Sequence, residues 1–305
     1  MSTHVGATIE VRDIYFETRN AQAQGRVWHR MTSDAATTSP DMSTHAPAAT
    51  KIEPKETHRG PTKNAIRRAH ALLVDRYGSR APGLRAPLDG LVLIILSQAT
   101  SDINCDRAFR SLKNRFPTWQ DVLDAPVEAL ADAIRSGGLA NQKAARIHAI
   151  LHQIKEDSGA LDLDWMHAAS TDECSTYLNK FKGIGPKTVA CVLVFFLGKA
   201  AFPVDTHVHR VTKRLGWIRP KAGAEEAHRV LESLVPDECK LDLHVNLISH
   251  GRAICRAQGN GGPHCGECIL RKTCAYGKSI GAKGAASNAK SSTRFHGTDF
   301  FVTLE

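Results

Sequence analysis

Residues Leu178–Ala190 read LNKFKGIGPKTVA. Leu178 and Phe181 fall on one helical face, and Gly183-Ile184-Gly185 then breaks the period with a tight turn. Pro186 follows at a position suited to the first turn of a new helix, where its missing N–H has no partner to lose. Val189, Val192 and Leu193 supply the apolar face of that second helix. Two glycines flanking one apolar residue let the backbone turn sharply and present consecutive amides at a helix N-terminus. Such a turn can hold a phosphate without reading sequence. An ordinary helix–turn–helix connection with two glycines has the same pattern, so this stretch alone fixes the fold better than the function.

On either side the pattern is helix after helix. Segments 64–76, 88–98, 127–134 and 142–155 carry apolar residues at three- and four-residue spacing. Ser170 with Glu173 forms a capping box ahead of Tyr177, Leu178 and Phe181, and Gly137-Gly138 stops the helix that ends near Ile134. Convincing strand alternation is missing, so an all-α core is expected from about Thr62 to Tyr276. Residues 1–61 and 277–305 have no sustained apolar period and read as flexible tails, with Phe300-Phe301-Val302 as a possible docking point. Met-Ser-Thr-His occurs at Met1 and again at Met42, which raises the expectation that translation starts at Met42.

The chain has 305 residues, 42% of them hydrophobic and 23% charged, enough for one large or two modest globular domains. The longest apolar run, Val189 to Leu197, is about half of the ~18 residues a membrane span needs, and the first residues lack the apolar block of a secretory signal. A cytoplasmic protein is expected, nucleoid-associated if bacterial. Lysine plus arginine exceed aspartate plus glutamate by nine, an excess compatible with binding a polyanion but silent about which one. Of eight cysteines, Cys105, Cys174, Cys191 and Cys239 are scattered in apolar or helical surroundings and read as inert buried thiols. Cys255, Cys265, Cys268 and Cys274 lie within twenty residues and point to a metal or iron–sulfur site rather than disulfides.

GIGPKT at 183–188, PVDTHVHRV at 203–211, LSQATSD at 96–102 and the cysteine cluster occur together and in order. Over about 62–276 the sequence therefore resembles the endonuclease III branch of the helix-hairpin-helix DNA glycosylases. The resemblance implies a two-domain fold: a six-helix barrel over 79–199, and an iron–sulfur domain assembled from 62–78 and 200–276. It implies base excision repair with AP lyase activity, removing oxidised pyrimidines and nicking the strand by β-elimination. The nucleophile would be Lys187 and the essential carboxylate Asp205. An amine that attacks the sugar C1′ as the base departs gives a Schiff base, which makes the C2′ proton acidic enough for elimination. The amine must be neutral to attack, and Asp205 can take its proton and stabilise positive charge on the sugar. In isolation Lys187 also fits a phosphate contact and Asp205 a helix N-cap. Relatives that only remove bases carry another residue at the lysine position, so a monofunctional mismatch glycosylase and a non-catalytic DNA-binding protein are the alternatives.

The target base must leave the stack before its glycosidic bond can be reached. The resemblance implies that Gln98 fills the vacated space and that Leu139 wedges into the stack, with Thr100, Asp102 and Asn104 lining the lesion pocket. Gln98 could instead cap its helix, Leu139 could close the 137–141 loop, and His207, placed beside the site, could be structural. DNA contact is expected from the amides of Gly183 and Gly185 and from Lys182, joined by Lys180, Arg210, Arg214, Arg271 and Lys272, although an ordinary solvated face explains each of these lysines and arginines equally well. The spacing Cys255-x9-Cys265-x2-Cys268-x5-Cys274 has one close pair where zinc sites more often have two, and four cysteines can hold a [4Fe–4S] cluster, which the family has. Nine residues separate Cys255 from Cys265, more than is usual in the family, and the extra ones fall in GNGGP at 259–263. The expected partner is double-stranded DNA carrying damaged pyrimidines or abasic sites, bound by a monomer.

Overall fold

The computed structural model describes residues 58–83 and 86–280; the expected tails and Met42 lie almost wholly outside the described residues. Among the described residues there are α-helices and short 3-10 turns, and the only extended pairing is an isolated bridge between Cys255 and Pro263. The expected all-α fold is what the chain adopts. None of these helices is long and apolar enough to cross a membrane.

Several helices open on local capping signals, of which the Ser170–Glu173 box and Pro186 are legible in the sequence. Helix α1, Lys63–Tyr77, is capped by the Thr62 side chain, and α2, Pro87–Ser97, opens on a proline. Helix α3, Asp102–Arg115, is capped by Ser101. The short α4 (Trp119–Asp124) and α5 (Val127–Ala133) lead to a 3-10 turn at Arg135–Gly137 and then to α6, Ala140–Ser158. The capping box at Ser170 and Glu173 is formed in both directions at the start of α7, Thr171–Leu178. Helix α8, Pro186–Phe196, follows the glycine turn, and α9, Thr206–Leu215, begins at Asp205. Helices α10 (Ala224–Leu234), α11 (Lys240–Ala253) and α12 (Ala275–Ser279) complete the chain.

Buried apolar side chains gather into two clusters. One draws on α2 to α8, including Leu91, Ile95, Ile147, Leu178, Val192 and Phe195. The other joins Ile66, Ala69 and Leu73 of α1 to Phe202 of the α8–α9 connection and to Val208, Val211 and Leu247 from the later helices. The first described helix thus packs with the last ones, and the clusters meet between Ala201 and Phe202. Helix α11 serves both, since Leu243 and Leu247 belong to the second cluster while Leu241 and Val245 pack against the first. Helices α2 and α8 approach so closely that a Cβ on Gly90 would lie 2.3 Å from the Phe196 ring. That contact fixes α8, and with it the glycine turn, against the main core.

Candidate active site

The turn before α8 is held from below by Ile184, which is buried and donates its N–H to Phe181 O at 3.1 Å. The two glycines have different reasons to be there. Gly183 has φ +84°, and a Cβ on it would sit 2.5 Å from Nε of Arg146. Gly185 has φ −104° and open space around the position of a Cβ. Any residue fits there in the free protein, so only something approaching from outside makes glycine useful at 185. Gly185 is also the N-cap of α8 and offers no side chain to its first-turn amides, which keeps the positive end of the helix free for an external acceptor. Lys182 is exposed beside it.

Lys187 stands in the first turn of α8, half-buried, against the thiol of Cys191 one turn on. Asp205 is half-buried at the start of α9, its Oδ1 accepting from Val208 N at 2.7 Å. The aspartate is therefore an N-cap, and the cap fixes its orientation. Lys187 and Asp205 both act electrostatically on the same two buried groups, Cys191 and His244. Burial pushes the Cys191 thiol up, with Lys187 opposing the shift. His244 is 2% exposed and donates from Nδ1 to Pro203 O at 2.8 Å. Burial depresses it to about 4, so the imidazole is neutral beneath the pair. Cys191 looked inert and His244 was not singled out in the sequence; nothing in their local patterns marks a shared site.

His207 lies two residues beyond Asp205. Arg210 donates from Nη2 to its Nδ1 at 3.0 Å, and since a guanidinium cannot accept, the proton of the neutral ring is on Nε2. Burial lowers its pKa, Asp205 opposes this, and Arg210 and Arg252 add to it. Arg210 also donates to Cys255 O and Gly251 O, and Arg214 donates to Cys255 O and Arg256 O. The sequence reads both arginines as phosphate contacts or as a solvated face; in the free protein their forked donors satisfy carbonyls of the 251–256 segment.

Gln98 ends α2 and does not cap it with its side chain. Its Nε2 donates to Thr188 Oγ1 at 3.3 Å, and its Oε1 accepts from Arg146 Nη1 at 2.8 Å. It thus ties α2 and α6 to the first turn of α8. Leu139 precedes α6 with φ +49° and is 53% exposed, so it does not close the loop onto the core. Asp102 pairs with Arg252 of α11 at 3.2 Å. Arg146, which touches both the Gly183 turn and Gln98, is a site residue that no local pattern marks.

Residues 92–237 match the HhH-GPD superfamily of base excision DNA repair proteins. Endonuclease III of Thermotoga maritima is 35% identical over 202 residues, 66% of this chain and 88% of that protein. The chain belongs to the endonuclease III-like branch of the HhH-GPD superfamily. A solved structure of a trapped endonuclease III–DNA covalent intermediate superposes with TM-score 0.61 at 30% identity, covering 72% of this chain and 99% of that one. An Arabidopsis thaliana protein provisionally named a DNA glycosylase is 46% identical over 173 residues, 57% of this chain. The chain spans only 59% of that plant relative's length.

In this member of the superfamily the four clustered cysteines are all uncrosslinked. Burial, with a smaller contribution from the other three cysteines and against a backbone hydrogen bond at Leu270, pushes Cys268 up to about 12. Cys265 and Cys274 are raised by burial and by Cys255 as well. Donors are aimed at the sulfurs: Gly277 N at Cys274 (3.4 Å) and Arg214 Nη1 at Cys255 (3.3 Å), with His250 Nε2 at 3.4 Å from Cys268. A Cβ on Gly277 would meet Arg271 O at 3.1 Å, a tight contact that glycine avoids. Donors around buried thiols favour thiolates, as a metal-bound set requires. The extra residues of 259–263 are taken up by a 3-10 turn at Gln258–Asn260 and by left-handed Gly261 and Gly262, and the Cys255–Pro263 bridge pinches the loop at its base. Among the described residues no three His, Cys, Asp or Glu side chains converge as for a single ion.

Proposed function

We propose that the chain is a bifunctional base excision glycosylase that removes oxidised pyrimidines and then cleaves the strand. The observation that carries this reading is the Lys187–Asp205 pair. Each stands at the N-terminus of a helix, Lys187 directly after the glycine turn, and both act on the same buried Cys191 and His244. Asp205 takes the ammonium proton of Lys187, whose amine then forms a bond to the sugar C1′ as the C1′–N bond to the base breaks. Loss of the ring oxygen from C1′ leaves an iminium, the C2′ proton departs, and the C3′–O bond to phosphate breaks. The amides at Gly183 and Gly185, with Lys182, hold the backbone; Leu139 and Gln98 open the stack and fill it, and His207 flanks the site. The solved covalent intermediate of endonuclease III supports an enzyme–DNA bond in this branch.

Cys255, Cys265, Cys268 and Cys274 would hold a [4Fe–4S] cluster, which would tie together the segments that carry them. The two apolar clusters are the two domains of this reading, and duplex DNA is its partner. The test is a duplex carrying one thymine glycol, with base release and strand nicking measured separately. Both products at matching rates support the proposal. Base release without nicking leaves a monofunctional glycosylase, and binding without either leaves a DNA-binding protein.

A further inference from the structure

Lys143 is 2% exposed, buried within the main core. A lysine so placed carries a desolvation cost that burial of an aliphatic side chain avoids, and burial does lower its pKa. The acceptors on its Nζ are backbone carbonyls: Leu96 O at 2.7 Å and Gly137 O at 2.8 Å. Leu96 lies in the last turn of α2, two residues before Gln98. Gly137 ends the 3-10 turn, two residues before Leu139. Carbonyls at helix ends carry the negative pole and are suited to a cation.

The chain beyond each carbonyl is strained. Among the described residues the non-glycine positions with positive φ are Ala99 (52°) and Leu139 (49°), one in each loop. Neither position has a glycine to make the left-handed conformation cheap, so each must be held by its surroundings. The Lys143 backbone N–H also donates to Leu139 O at 3.0 Å. One residue thus grips the wedge loop by main chain and side chain and reaches across to the loop of Gln98. One turn further along α6, Arg146 holds the Gln98 side chain.

We propose that Lys143 is a positioning residue that sets the spacing between Gln98 and Leu139, the two side chains that enter the duplex. The inference rests on the roles given above to those two residues. A clasp that merely stabilises the core would affect all substrates alike. A clasp that aligns the two loops matters only where a duplex has to be opened.

The test compares strand cleavage at an abasic site in intact duplex with cleavage at the same site in a single strand. It uses the cluster-loaded full chain and Lys143→Met, a side chain of similar length without the donor. The duplex-to-single-strand ratio of kcat is expected to fall by about tenfold or more, with single-strand cleavage within about twofold of the unmodified protein's. 2-Aminopurine opposite the site should lose its binding-induced rise in fluorescence. Lys143→Gln, which can still donate to one carbonyl, should fall between the two. An unchanged ratio, whether both activities fall together or neither falls, overturns the proposal, as does failure of both variants to fold. Absence of cleavage by the unmodified protein would instead overturn the proposed function.

Discussion

Gly183 and Gly185 look equivalent in sequence, and the structure predicts opposite consequences for replacing them with alanine. At Gly183 the new Cβ must accept φ +84° and lies 2.5 Å from Arg146 Nε. The left-handed conformation alone costs about 1–2 kcal/mol. Displacing the guanidinium, which also holds Gln98, adds roughly another 1 kcal/mol. For a body of this size each kcal/mol lowers Tm by about 2–4 °C, so Gly183→Ala should melt roughly 4–12 °C lower. At Gly185, φ is −104° and a Cβ meets nothing within 4 Å. The small loss from a poorer N-cap is offset by the reduced freedom of the unfolded chain, so Tm should stay within about 2 °C. The added methyl would occupy the space proposed for phosphate, weakening binding to a duplex with a stable abasic analogue by about tenfold, or 1.4 kcal/mol. Differential scanning fluorimetry gives the first quantity and fluorescence anisotropy at one fixed salt concentration the second. Two results would refute the reasoning: a Gly185→Ala protein that binds DNA normally, or a Gly183→Ala protein that is as stable as the unmodified chain.

Three more outcomes follow from single contacts. Asp205→Asn keeps an acceptor for Val208 N, so Tm should hold within about 2 °C, while base release falls by roughly 10²–10⁴; retained release would make Asp205 a cap and nothing more. Gly90→Ala drives a Cβ into the Phe196 ring and should cost about 3 kcal/mol in urea unfolding. His244 is held near 4 when folded and titrates near 6.5 when unfolded. The unfolded chain therefore binds the proton first, and the group's contribution to stability is lost as pH falls from 6.5 towards 4, by up to about 3 kcal/mol. His244→Asn, which can still donate to Pro203 O, should unfold with a shallower acid dependence; an identical slope would remove His244 as its source.

The helices and their starts were legible because they are local: the capping box at Ser170 and the proline at 186 act within one turn. Lys187 and Asp205 were legible because each sits in a short motif. Lys143 and Arg146 were not, since lysine and arginine on a helix ordinarily mark a solvated face. Their partners, Leu96 O, Gly137 O and Gln98, come from separate segments. The bonds of Arg210 and Arg214 to the 251–256 carbonyls were not legible either, because those carbonyls come from a segment about forty residues away. The left-handed turns at Ala99 and Leu139 carry no glycine signal. Cys191 and His244 join the site only when α8 and α11 pack.

The most direct test of the central claim is borohydride trapping on an abasic duplex, comparing the intact protein with Lys187→Gln. A covalent protein–DNA adduct that forms with the intact chain and vanishes in the variant is the predicted result, since borohydride reduces an imine to a stable amine linkage and the account places that imine on Lys187. An adduct that persists in Lys187→Gln, or none from folded, cluster-loaded protein, would contradict the lysine imine on which the account rests.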